Sequence, residues 1–523
     1  MKRSAIVISV SLLAAFAITS SQSVINAQGT EHPVEVRSDG ILFPKPFAIA
    51  IDDLGWMDGS SLGDEGGPWR TGLRRDFDVR DYIAVVDIAK ATGVRLQAAF
   101  ILSELDRLNI IGQYPHMTYQ QGKWDNTRNI GPDQIEIMDY VKDNAAWLEF
   151  GLHGVGHEFW DENGKRTRAE FYNTDENSPR PEHLMNKNLD VFEQIMAQYG
   201  LTPENGHSFP ESFVPPAYGY YWNPDGTYST GSILSERGLK YVNTQLNYVS
   251  ELNPPADGSG GFDNGVLVID RHNYGNPWYE LESLPRTPIG TYQTEIIETH
   301  WPNLLAADDF LQESVNNQWA EFYRSVQEHP DYYLAKNTEQ FNSQWLYRRY
   351  VTVTEELAGR VQIDARSMPA EAYERADMLG NMVLALKLPE GSYISKALID
   401  GNPVPGFFSD AGYQFIYLPK LERRSYTLEY ETGPAPVAER VEINGTYNVY
   451  GVTQNRDRLQ VDLQMYGTQD VHIYTQREPS SVVFDNERLS VMETGYDATK
   501  GLFTVKVHGH DIQGERGILT LQY

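Results

Sequence analysis

Between about residues 40 and 345, short apolar runs alternate with segments of helical periodicity, and no other feature narrows the possible fold as far. FAIAIDD (47–53), VRLQAAFIL (94–102), AAWLEFGLH (145–153), LKYVNTQL (239–246), GVLVIDRH (265–272) and TEIIETH (294–300) have the length and content of buried strands. DYIAVVDIAKATG (81–93), DQIEIMDYVKDN (133–144) and HLMNKNLDVFEQIMAQYG (183–200) space their apolar residues as helices do, and the first and last stop at glycine. Strands separated by helices pair in parallel, which implies an α/β sheet or barrel. In such folds reactive groups gather at the C-terminal ends of the strands.

After about Tyr347 the texture changes. VQIDAR, NMVLALKLP, SYTLEYE, RLQVDLQMY, LFTVKVHGH and GILTLQY are strand-like, and turn-forming segments such as DGNPVPG and TGYDATKG separate them. The segment Glu431 to Ala438, ETGPAPVA, has the composition of a linker and divides this region into two pieces of similar size. The expected organisation is a leader over 1–27, an α/β domain over 28–345, and β-sandwiches over 346–432 and 437–523.

The leader reading rests on basic Lys2 and Arg3, the apolar run AIVISVSLLAAFAI, and small residues that make Ala27 a plausible last residue before cleavage. It implies a secreted or periplasmic protein, not inserted in the membrane once the leader is removed. A retained membrane anchor is the alternative. The chain has no cysteine, so disulfides and a lipidated cysteine anchor are both excluded. A net charge of -29 with no basic run argues against nucleic acid or an anionic membrane surface as partner.

Several chemically capable residues stand at strand ends. Asp52 and Asp53 close FAIAIDD. His153 and His157 follow LEFGL, four residues apart with Gly154 and Gly156 between them. Those glycines argue against a regular helix, so a helical zinc-protease motif fits poorly and a tight loop fits better. Tyr218 lies in FVPPAYGYYW, and His300 closes TEIIETH. In a parallel layout all of these can converge on one rim.

In this order, the pieces resemble the polysaccharide deacetylases of the NodB-homology type, carbohydrate esterase family 4. FAIAIDD is similar to that family's Asp-Asp strand end and EFGLHGVGHE to its H-x-x-x-H motif. SFVPPAYG is similar to its Pro-Tyr loop and IIETH to its late histidine. The resemblance covers roughly residues 40 to 305 and implies a distorted (β/α) barrel with fewer than eight strands. It implies that Asp53, His153 and His157 hold a divalent metal, zinc first, with cobalt, nickel or manganese as alternatives. It makes Asp52 the general base, His300 the general acid, and the backbone N–H of Tyr218 an oxyanion donor. The substrate implied is an acetylated polysaccharide.

The chain departs from the family pattern at three places. Leu54 intervenes before Gly55, Val214 stands where the family carries an arginine, and Ala217 separates the prolines from Tyr218. No clean fourth motif is visible, and Asp270 with Arg271 is the pair expected to supply the acid and the guanidinium. Aromatic residues beside the motifs are candidates for stacking on sugar rings: Trp56, Tyr220, Tyr221, Trp222, Trp278, Tyr279 and Trp301. His272 lies near the expected rim. His508 and His510, with Asp511, form a candidate second metal site. Two other functions remain open: glycosidic cleavage through paired carboxylates, drawn from Glu149, Asp270 and Glu298, and glycan binding without catalysis.

Overall fold

In the computed structural model the described residues are 40–59, 73, 75–117, 124–223, 228–247, 260–375, 378, 380–434 and 439–523. The leader region therefore lies outside the described residues. Among those residues no helix is long and apolar enough to cross a membrane.

The strands and helices read from the sequence lie close to their expected positions. β1 (Ile41–Leu42) precedes β2 (Lys45–Leu54), α1 (Val79–Thr92), β3 (Leu96–Phe100), α2 (Pro132–Asp143), β4 (Leu148–Leu152) and α3 (Glu182–Ala197). Then come β5 (Ser212–Phe213), α4 (Thr230–Glu236), β6 (Tyr241–Thr244), β7 (Gly260–Asp263), β8 (Val266–Asp270), β9 (His272–Asn273) and β10 (Ile296–His300). α5 (Gln312–Gln327), β11 (Tyr332–Leu334) and α6 (Thr338–Tyr350) complete this part. α1 shows why the helix signals work. Asp78 and Asp81 form a capping box at its start, and Gly93 ends it at φ 67°, a conformation that costs glycine little.

The main sheet runs β7-β8-β6-β5-β4-β3-β2-β10-β9, with β11 paired to the start of β2. Every pair is parallel except β7 with β8. The result is a curled half-barrel in a mixed α/β fold, with β7 and β9 as edges. One face packs on α1 to α5 through residues such as Ile49, Ile51, Val242, Val268 and Ile297. The other face carries Ala50, Tyr241, Leu267, Ile269 and Ile296, and packs on Phe341, Trp345 and Leu346 of α6 and on the β-rich part of the chain.

Two boundaries differ from expectation. α6 crosses the division drawn at residue 345, because its buried face belongs to the core beneath the sheet. The two expected sandwiches share one eight-stranded sheet, which β1 also joins. A single parallel register, Phe407 beside Glu442, stitches the halves together. Sheets of five and four strands contribute to the same hydrophobic core. The first residues of the expected linker, Glu431 to Gly433, belong to the strand Ser425–Gly433, and 435–438 lie outside the described residues.

Candidate metal centre

Adjacent strand residues normally point to opposite faces. Asp52 and Asp53 escape this rule because β2 bulges against β3: Ile51 pairs with Ala98, and Leu54 with Phe100, so β2 carries one extra residue. Asp53 takes a left-handed φ of 71° there. The bulge lets Asp52 face the pocket while Asp53 turns to the histidine loop that follows β4.

His153 is buried, and its Nδ1 lies 2.7 Å from the Val214 carbonyl oxygen. A carbonyl only accepts, so Nδ1 carries the proton and Nε2 presents a lone pair. That lone pair lies 3.3 Å from Asp53 Oδ1, which is 4.0 Å from His157 Nε2. Two acceptors 3.3 Å apart repel unless a cation or a proton lies between them. Asp53 Oδ1, His153 Nε2 and His157 Nδ1 are all buried without a hydrogen-bond partner in the protein. Each such atom costs about 1–3 kcal/mol if left so. Among the described residues this is the one group of three or more potential ligands whose donor atoms lie within 4.8 Å of one another. A carboxylate with two imidazoles suits a divalent ion and leaves coordination positions open.

The electrostatics suit two of these donors and set a proton in competition with a cation at the third, His153. Burial pushes His157 down to about 3, against the pull of Asp53, so it is neutral at ordinary pH. Burial acts in the same sense on His153, but Asp52 and Asp53 outweigh it and raise its pKa. Burial disfavours the Asp53 carboxylate, yet the histidines around it hold its pKa below the usual carboxylate range.

Gly154 of LHGVGH is explained by Glu170, which the sequence reading missed. Its buried carboxylate accepts from the backbone N–H groups of Val155 (3.0 Å), Gly156 (2.7 Å) and His157 (2.5 Å). Gly154 sits at φ 91°, and a Cβ there would lie 2.7–2.8 Å from that carboxylate. His157 itself has φ 56°. No spacing rule points from the histidine pair to an acid 13 residues downstream.

Asp52 accepts both prongs of the Arg271 guanidinium, at 2.8 and 2.6 Å. Arg271 is 1% exposed, so this is a buried bidentate pair. Burial works against the Asp52 carboxylate, but Arg271 and His153 hold its pKa down. Glu298 completes the network: Oε2 lies 3.7 Å from Arg271 Nε, and Oε1 accepts from the Tyr218 hydroxyl at 2.7 Å. A pocket of about 300 Å³ opens here, lined by Asp52, His157, Arg168, Tyr218, Arg271, Trp278, Glu298 and His300, among others. His300 is the register partner of Asp52 across β10 and β2, and its Nδ1 is buried without a protein partner.

Other expected site residues lie elsewhere or act differently. Asp270 points away from the pocket: it accepts from the Leu246 N–H at 2.8 Å and lies 3.2 Å from His272. The pocket acid on that side is Glu298. The Tyr218 N–H already donates to the Pro215 carbonyl at 3.1 Å, so the group facing the site is the phenol. Ala217 and Tyr218 both have left-handed φ, 51° and 59°. Trp301 is 0% exposed, stacked on Phe77 at 4.1 Å, and offers no face to a sugar. Trp56 and Tyr220 are buried too, and Trp222 packs against the helix-side core. Glu149 lies under the sheet, accepting from Ser212 at 2.5 Å and from Thr338. His508 pairs with Thr468, and His510 with the Asn205 carbonyl, and they form no second ligand cluster. The chain matches no family model and no curated protein.

Proposed function

We propose that this chain is a metal-dependent hydrolase that removes acetyl groups from a polysaccharide outside the cytoplasm. What supports the reading above all is the facing pair of buried acceptors, His153 Nε2 and Asp53 Oδ1, at 3.3 Å beside His157. A proton or a cation between them relieves that pair, and the third donor, His157, favours the cation, at the strand ends where α/β folds carry their chemistry. The Arg271-held Asp52 and His300 share the adjoining pocket.

A bound divalent ion, zinc by preference, would supply Lewis acidity toward water and the acetyl carbonyl. The remaining work falls to the chain. Arg271 fixes the Asp52 carboxylate in one orientation, and Asp52 takes a proton from the attacking water. The Tyr218 phenol, oriented by Glu298, stands beside the reacting group. His300 delivers a proton to the departing sugar oxygen or nitrogen, so that acetate and a free hydroxyl or amine result. Of the acids considered for glycosidic cleavage, Glu149 and Asp270 do not line the pocket, which leaves that alternative with Glu298 and Asp52 on one guanidinium.

The test is metal content of the purified chain beside acetate release from acetylated glycans, for wild type and His153→Ala. About one divalent ion per chain and acetate release, both lost in the variant, are expected. No metal uptake from zinc, cobalt, nickel or manganese, or new reducing ends in place of acetate, would reject the proposal.

A further inference from the structure

The metal centre uses neither His207 nor the group His508, His510 and Asp511. His508 lies in the strand Leu502–Gly509 of the β-rich part, with His510 and Asp511 just after it; His207 lies between α3 and β5. The fold brings His207 and His510 face to face: their rings stack with centroids 5.0 Å apart, 25° from parallel. Around this stack residues 205–208 are fastened to the β-rich part. The Asn205 carbonyl accepts from His510 Nε2 at 2.8 Å, and the Gly206 carbonyl accepts from Arg488. Ser208 donates to Asp511 through its N–H and, at 2.6 Å, its hydroxyl. The two segments touch closely, since a Cβ on Gly206 would lie 3.1 Å from Arg488 Nη2 and 3.2 Å from His510 Cδ2.

One member of this contact is set to change charge. Among the described residues His207 Nδ1 is buried without a hydrogen-bond partner, and Asp511 Oδ1 is 3.9 Å away, beyond hydrogen-bond reach. Asp511 is already engaged by Ser208, by the Gln513 N–H at 3.0 Å and by Arg488 at 3.7 Å, and Arg488 also meets Glu515 at 2.9 Å. His508 bonds Thr468 at 3.0 Å. A hollow of about 560 Å³ adjoins the stack; Glu193 and Glu211 line it, paired with Arg237 and Lys240, and so does Glu236. Burial holds the His207 imidazole below its ordinary 6.5; His510, Lys142 of α2 and Arg488 act in the same sense, and the pull of Asp511 does not outweigh them. The folded arrangement therefore prefers neutral His207. Its contribution is whole above about pH 6.5 and is lost as pH falls below that. A proton on His207 sets an imidazolium against the stacked ring, with Lys142 and Arg488 already near.

We propose that the His207–His510 stack is an acid-released clasp between the α/β part and the β-rich part. With His207 neutral it holds residues 205–208 in place, and a proton on His207 frees them and opens the hollow beside them. The freed segment runs into β5, just before the Val214 carbonyl that holds His153. The clasp stands on its own contacts, whatever the metal centre does.

Hydrogen exchange on the full chain, read by mass spectrometry, follows peptides spanning 202–209 at about pH 7.5 and about pH 5, with rates corrected for the intrinsic pH dependence. In wild type, protection of 202–209 should fall at least about threefold at the lower pH while that of α1 stays constant. His207→Phe keeps a flat ring against His510 with no proton to gain, and His207→Gln removes the titration without adding an apolar ring; both should lose the pH response. His207→Gln decides alone if the phenylalanine variant folds poorly. Protection of 202–209 that ignores pH in wild type, or that still falls in His207→Gln, overturns the proposal. A loss of protection shared equally by α1 also overturns it, because that is global acid unfolding and not a local release.

Discussion

Glu170→Gln isolates the link between loop geometry and metal binding. In the native loop Oε1 accepts from Gly156 and His157, while Oε2 accepts from Val155 and lies 3.4 Å from Asn188 Nδ2. A glutamine keeps one oxygen, so its amide nitrogen must face one of these donor pairs. Facing Val155 and Asn188 is the lesser conflict, since the Asn188 amide can turn its oxygen inward. One backbone N–H is then orphaned, at about 1–3 kcal/mol. Removing a buried charge offsets part of this, because burial already disfavours the Glu170 carboxylate and raises its pKa. Global stability therefore changes little. The local effect is larger, because His157 sits at φ 56°, a conformation costing about 1–3 kcal/mol that the Glu170 contact helps to hold. The amide oxygen still accepts from Gly156 and His157, but a neutral acceptor holds them less strongly than the carboxylate did, so the imidazole relaxes away from Asp53. Zinc affinity should fall about 10- to 100-fold, the usual effect of losing an outer-sphere partner. Competition with a chromophoric chelator reads the affinity, and thermal unfolding of the metal-free protein reads the fold. An unchanged melting temperature with zinc affinity within about twofold of wild type would refute the reasoning.

Arg271→Ala leaves Asp52 buried without its partner; acetate turnover should fall at least about 100-fold and stability by about 3–5 kcal/mol, read by initial rates and urea unfolding, and unchanged activity would remove Arg271 from the site. Gly154→Ala drives a Cβ into the Glu170 carboxylate at a left-handed φ, so it should cost about 1–3 kcal/mol and weaken zinc binding together. Because the His153 pKa is raised while His157 is held down to about 3, only His153 competes with the ion for a proton. Zinc affinity should therefore rise with pH by about tenfold per unit up to the His153 pKa, above 6.5, and then level off; a two-proton slope in chelator titrations would contradict this. A chain ending at residue 436 loses 16 of the 55 buried residues of the core beneath the sheet and should not yield soluble folded protein, as size-exclusion chromatography would show.

The fold class was legible because the main sheet is buried on both faces, so its strands read as apolar runs between helices. The same burial hid which way each end residue points. VLVIDR shows no polar alternation, so nothing in it says that Arg271 turns to the pocket and Asp270 away. Adjacency misled for Trp301 as well: His300 faces the pocket, and the next residue turns back into the core. The Asp-Asp pair was visible, but the bulge that lets both carboxylates be used is a property of β2 against β3. Glu170 was invisible because its role arises from three backbone N–H groups, which carry no residue signature. The shared eight-stranded sheet was missed because its join is one parallel register between strands that each looked complete.

That shared sheet assigns the β-rich part a place in the argument. Arg95, just before β3, donates to the Ile512 carbonyl at 2.8 Å and lies 4.1 Å from the centroid of Tyr466. Thr446 donates to the Ala146 carbonyl, just before β4, at 2.6 Å. These contacts lie at the N-terminal ends of the strands, while Asp52, His153 and His300 stand at the other ends. In barrels of this kind the N-terminal rim serves stability and the C-terminal rim chemistry. A half-barrel with two edges cannot bury its open face alone, and here α6 and the β sheets bury it. The strand ends can then hold strained residues such as Asp53, His157 and Tyr218 at positive φ. Such strain persists only where the surroundings over-determine it, and the rigid floor beneath the strands is what makes that possible at the rim.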